Sequence, residues 1–183
     1  MPEKLSYNKI QLKERPSIRK IAAQFLNDGL LAQLEPFLQY VEENKMPFSL
    51  GRCNTYESKY KTKLVFRVEI ANGQACTADT YAVKVYTVEA SHFREENREA
   101  VKKQLNDYLS HLEDGMADYF IRNVAHCRGC GKCKPGTKVE ILGQQKTVCS
   151  CDICTLKVIN PDETDYVMIK KFIDARKNFI LQI

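Results

Sequence analysis

Six of the chain's eight cysteines, Cys127, Cys130, Cys133, Cys149, Cys151 and Cys154, fall in one stretch that opens at His126. Their spacing is C-x2-C-x2-C-x15-C-x-C-x2-C. A zinc ion takes four ligands in a tetrahedron, and two thiolates at C-x2-C spacing supply half of that set from one tight turn. Gly129, Gly131 and Gly136 stand where such turns need unusual backbone angles or close approach to sulfur. Two such pairs share a metal when roughly 15–20 residues separate them. Cys130/Cys133 and Cys151/Cys154 are 17 residues apart, and Cys127/Cys130 and Cys151/Cys154 are 20 apart. The chemistry expected is structural Zn²⁺ ligation, with all six thiols as candidate ligands.

The residues between the two groups fit. Lys138 to Leu142 partly alternates, Gly143-Gln144-Gln145 can turn, and Lys146-Thr147-Val148 can return as a second strand. Residues 126–154 therefore resemble a zinc ribbon: a ligand turn, a hairpin, a second ligand turn. The resemblance covers about a sixth of the chain and implies one zinc held by four thiolates. Six thiols exceed that need. Cys130 belongs to both overlapping pairs on its side. A rival set, Cys127, Cys130, Cys133 and Cys149, takes three ligands from one loop and one from the return strand. Cys149 and Cys151 face the same way in an extended chain, so both can approach a metal. Two zincs with shared thiolates would also use six cysteines, but the spacing departs from that of Zn₂Cys₆ transcription factors. An iron–sulfur cluster is the weaker cofactor expectation. The C-x2-C-x2-C run resembles bacterial ferredoxins, yet the fourth cysteine and following proline are missing after Cys133. A redox dithiol is a further reading of C-x2-C.

Other constellations fail. His111-Leu112-Glu113 followed by Cys127-Arg128-Gly129-Cys130 matches the zinc-deaminase pattern poorly, because His126 stands where proline is needed. The plain reading of His111 is a solvated helix-end residue whose partial charge suits the dipole. There is no H-E-x-x-H signature, no P-loop and no Gly-rich turn of the dinucleotide-binding kind. An all-thiolate zinc is electron-rich and closed, whereas catalytic zinc keeps an open position. Arg128, Lys132, Lys134, Lys138 and Lys146 surround the cysteines. Without interleaved aromatic residues they read better as a solvated face offsetting thiolate charge than as a phosphate-binding patch.

Composition sets the bounds. The 183 residues suffice for a buried core, and their formal charge is +5. Four thiolates and one dication take two units off that charge, and the modest excess left is no nucleic-acid signature by itself. No apolar run reads as a signal peptide or membrane span, and eight cysteines without a secretion signal suit a reducing cytoplasm.

The surrounding elements follow from period and punctuation. Residues 1–15 read as a loose tail. Ser17 caps a first helix with Ile18, Ile21, Ala22, Phe25 and Leu26 on one face, stopped at Asn27-Asp28-Gly29. A second helix starts near Glu35-Pro36, shows Phe37, Leu38 and Val41, and ends between Asn44 and Pro47. Strands are expected over Cys53–Tyr60, Leu64–Ile70 and Tyr81–Val88, with a tight turn at Asn72-Gly73. They form a small antiparallel sheet, one face on helices and one partly wet. Cys53 and Cys76 read as small buried hydrophobes. Ser91 opens the longest helix, striped by Phe93, Val101, Leu105, Tyr108 and Leu112 and lying across the sheet. Met116–Val124 forms another short helix. After the cysteines, Leu156, Val158 and Ile159 form a strand, and Asn160-Pro161 caps a helix with Tyr166, Ile169, Phe172 and Ile173 inward. Residues 179–183 are an apolar end for docking or a homodimer contact.

The fold class expected is α+β, a small antiparallel sheet packed by helices. Residues 1–125 form the α+β domain, and residues 126–183, a Cys-rich zinc-ribbon-like module plus a closing C-terminal helix, pack on that domain. The function expected is non-enzymatic binding or regulation, with a protein or small ligand as partner. The alternatives are nucleic-acid binding through the basic module and thiol redox or metal sensing.

Overall fold

Capping, alternation and turn chemistry account for the elements of the computed structural model, which describes residues 11, 13–51, 53–71, 79–88, 97–125, 137–148 and 154–182. Among these, the helices are α1 (Ile18–Phe25), α2 (Asp28–Glu43), α3 (Arg98–Ser110), α4 (Met116–Asn123) and α5 (Glu163–Gln182). The strands are β1 (Phe48–Leu50), β2 (Thr55–Tyr60), β3 (Lys63–Ile70), β4 (Tyr81–Tyr86), β5 (Thr137–Ile141), β6 (Gln144–Val148) and β7 (Thr155–Ile159). One sheet has the order β1-β2-β3-β4-β7, and β5-β6 is a separate ribbon. The protein is α+β, as its sequence implies. Among the described residues no helix is long and apolar enough to cross a membrane. The chain forms two compact units, residues 1–84 with 159–166 and residues 85–158 with 167–183.

In the first unit, the Ser17 hydroxyl accepts the Lys20 N–H at 3.2 Å and starts α1, burying Ile18, Ile21 and Ala22. The expected stop at Asn27 is also a start: its side chain accepts the Leu30 N–H at 3.0 Å and caps α2. Pro36 therefore lies inside α2 and not near its beginning. It removes one backbone donor, but Ala32 and Pro36 are both exposed, so water can reach the carbonyl left over. Leu34, Phe37, Leu38 and Val41 form the buried face of α2.

The alternation of β3 sends Phe66 against Phe37, with ring centroids 5.5 Å apart. Arg67 and Glu69 project from the opposite face. That face is polar, as expected, but closed at its centre. Glu69 and Lys84 are buried and paired at 2.9 Å, and Arg67 meets its cross-strand neighbour Glu57 at 2.6 Å. Gln11 is buried against the chain ahead of β2, its Oε1 accepting the Asn54 N–H at 3.0 Å, so the N-terminal tail is anchored at that residue. The same contact corrects the reading of Cys53. Cys53 and Asn54 both have positive φ, 41° and 55°, and with Asn54 turned inward Cys53 is exposed. Cys76 and the Asn72-Gly73 turn lie outside the described residues.

Asn160 is not a helix cap. With φ 46° it continues the pairing of β7 onto β4, its side chain accepting the Tyr81 N–H and its own N–H donating to the Tyr81 carbonyl, both at 2.9 Å. Asp162 caps α5 instead: its carboxylate accepts the Asp165 N–H at 2.8 Å while Asp165 accepts the Asp162 N–H at 3.2 Å. The first turn of α5 brings Tyr166 onto Phe37, stacked at 5.3 Å, with its hydroxyl 2.7 Å from that of Tyr81.

In the second unit, Val101, Leu105, Tyr108 and Leu109 are the buried stripe of α3. Among the described residues α3 has 13 residues and α5 has 20. Ser91 and Phe93 lie outside the described residues. Gly115, at φ 82°, separates α3 from α4. Phe172 of α5 packs on Tyr119 and Phe120 of α4, and Phe179 meets Tyr108 edge-on at 5.5 Å. The apolar C-terminal end is thus docked at Phe179.

Burial pushes the Tyr81 hydroxyl up to about 12 and raises that of Tyr166 further. Unfolded tyrosines ionise near 10. Stability from this pair is therefore complete below pH 10 and falls as pH rises toward 12, because the unfolded chain loses its protons first. Tyr166→Phe should cost about 1–2 kcal/mol at neutral pH by stranding the Tyr81 hydroxyl. It should also flatten the alkaline loss. Urea titrations at pH 7 and pH 11 check both effects.

Candidate metal centre

The ribbon β5–β6 forms where the cysteine spacing requires a hairpin. Its turn is Leu142-Gly143, with φ 46° and 79°, one residue earlier than the expected Gly143–Gln145. Ile141 pairs directly with Gln144, so the loop has two residues, and positive φ at both positions matches the twist of the flanking strands. Glycine serves the second position without strain, and the Leu142 N–H is held by the Asn106 side chain of α3 at 3.0 Å. Val139, Ile141 and Val148 are buried on one face.

Two backbone ties flank the cysteine-bearing segments. At the inner end Thr137 pairs with Val148. At the outer end Val124 bridges Leu156 antiparallel, and the Ala125 N–H donates to the Thr155 carbonyl at 3.1 Å. Cys127, Cys130 and Cys133 belong to the strand of chain between Ala125 and Thr137. Cys149, Cys151 and Cys154 belong to the one between Val148 and Thr155. Both segments therefore start and finish at residues that are paired with each other.

Of the six expected ligands only Cys154 is among the described residues; Cys127, Cys130, Cys133, Cys149, Cys151 and also His126 lie outside them. Among the described residues no three His, Cys, Asp or Glu side chains gather as a metal-binding group. Cys154 is buried at 2 % exposure. Its carbonyl accepts from both the N–H and the hydroxyl of Thr87, each at 2.9 Å. Burial pushes its thiol up to about 12, and the charge of Arg176 opposes that rise. A thiol in such surroundings is a poor free nucleophile but can be deprotonated by a metal.

Arg176 escaped the sequence reading. Its signal was there: it falls three residues after Ile173, four after Phe172 and four before Ile180, on the apolar stripe of α5. The side chain is 2 % exposed, donates from Nη1 to the Thr87 carbonyl at 3.2 Å, and lies 5.8 Å from the Phe179 ring centroid.

The remaining candidates stay apart. His111 is exposed at the C-terminus of α3, its Nδ1 2.7 Å from the Asp107 carbonyl, as expected of a solvated helix end. Glu113 pairs with Lys171 at 2.7 Å. Lys138 pairs across the ribbon with Thr147, and Lys146 with Val139, so the two lysines project from opposite faces. Arg128, Lys132 and Lys134 lie outside the described residues. Comparison with family models, with curated proteins and with solved structures gives no match for this chain.

The contrast between Cys53 and Cys154 can be measured. In a brief iodoacetamide pulse on the native protein, Cys53 should be alkylated and Cys154 spared until denaturant is added. Peptide mapping by mass spectrometry reads this; early alkylation of Cys154 would contradict its burial.

Proposed function

We propose that residues 126–154 bind one Zn²⁺ through four of their six thiols, and that the ion is structural. The protein is then of binding or regulatory type, not catalytic, and works in a reducing compartment where the thiols persist. The supporting observation is the pair of backbone ties, Val124–Leu156 outside and Thr137–Val148 inside. They pair the described residues that flank the two cysteine-bearing segments, which favours ligation from both sides. A four-thiolate zinc is closed and weakly Lewis-acidic, so its contribution is folding energy for a small module. The partner is read as a protein or small ligand; among the described basic residues of the module, Lys138 and Lys146 project from opposite faces.

Elemental analysis of the purified chain should give zinc near one per molecule. Cys130→Ser should lose most of it, since Cys130 serves in every ligand set considered. Zinc affinity should weaken as pH falls, because protons compete for the thiolates. Iron with acid-labile sulfide would replace this reading with a cluster protein. Absence of any metal would replace it with a thiol-redox one. Retention on heparin at low salt, lost steeply as salt rises, would restore nucleic acid as the partner.

A further inference from the structure

We propose that the groove between the start of α1, the end of α2 and β1 binds a small organic anion with an apolar body, its acidic head held by Arg15 and Lys45. The site lies wholly within the first unit and does not depend on the zinc reading.

The groove has a volume of about 1090 Å³, ample for a small molecule, whose sites run to roughly 1,000 Å³. Phe48 and Leu50 stand half-buried in its wall, next to the buried Val41 and Met46. Phe48 is held edge-on by Tyr56 and Phe66, with ring centroids 6.2 and 5.7 Å away, so this apolar wall is fixed. The Tyr56 hydroxyl donates to the Pro16 carbonyl at 2.9 Å and ties the start of α1 to the sheet.

Charge selects the head group. Arg15, Arg19 and Lys45 line the groove, against the single carboxylate of Glu42. Arg19 is already engaged with Glu35 and Glu42. That bridge joins α1 to α2; Arg15 lies four residues before Arg19 and Lys45 three after Glu42, so both reach the same mouth. Both side chains are exposed, and among the described residues neither has an ion-pair partner. The α1 helix starts here with no acidic residue in its first turn, so its positive end adds to their potential. The backbone at Lys45 points the same way. The Met46 N–H donates to the Val41 carbonyl and the Lys45 N–H to the Glu42 carbonyl, both at 3.0 Å. These two bonds close a helix around a left-handed residue, most often glycine. Lys45 fills that position at φ 53°, so a cation stands where glycine would fit without strain. An extended peptide fits less well. Beside β1 it would find a strand of three residues preceded by Pro47, which has no N–H to offer.

The test titrates the ¹⁵N-labelled full chain with sodium decanoate at low salt. Saturable amide shifts should centre on residues 15–19 and 45–50 and weaken as salt rises. Decyltrimethylammonium, with the same tail and opposite charge, and acetate, with no tail, should both bind far more weakly. Arg15→Gln and Lys45→Gln should each weaken decanoate at least about threefold. Lys45→Gly, which relieves the backbone, should fold at least as well as the parent and still lose affinity. Glu42→Gln should tighten binding, and Lys61→Gln, in the β2–β3 turn, should leave it unchanged. Shifts that do not saturate or that centre elsewhere overturn the proposal. So does an equal response to decyltrimethylammonium, or parental affinity in Lys45→Gly. Binding of an oligoglutamate peptide here without any response to decanoate overturns it in favour of a protein partner.

Discussion

Two short backbone ties, Val124 to Leu156 and Thr137 to Val148, govern what the second unit can do. A pair of strands alone is marginal in water. This ribbon is supported on one side by α3, through Asn106 and the burial of Val139 and Ile141, and its open end feeds directly into both cysteine groups. The segments between the two ties are thus each closed at both ends by pairing that the rest of the unit maintains, so the entropy of bringing their ends together is largely met by that pairing.

The first unit shows the same economy in a different form. Its core is aromatic, Phe37 against Phe66 on one side and against Tyr166 on the other, and the hydroxyls of Tyr81 and Tyr166 satisfy each other within it. On the other sheet face, Glu57, Arg67, Glu69 and Lys84 form a run of alternating charge across β2, β3 and β4. Exposed pairs of this kind contribute little, but at Glu69 and Lys84 the pair is buried, and removing either partner would strand the other charge. That gives the sheet a register it cannot slip without loss.

Much of this was legible because it is written in local rules. The period of Lys63–Ile70, the Ser17 cap and the apolar face of α5 need no tertiary information. Where local signals competed, tertiary context chose. Asn160 looked like a helix cap, but its tolerance of left-handed backbone was used to pair with Tyr81, and Asp162 took the cap. Pro36 looked like a helix start, but Asn27 offered a better cap nine residues earlier. Cys53 was read as buried from its residue type, and the turn that buries Asn54 put it outside. Gln11 and Arg176 could not be recognised as anchors, because their hydrogen-bond partners, Asn54 and Thr87, are 43 and 89 residues away. In the candidate site the cysteine spacing is legible in the sequence. The tie between Val124 and Leu156, which flanks both cysteine-bearing segments, carries no sequence motif.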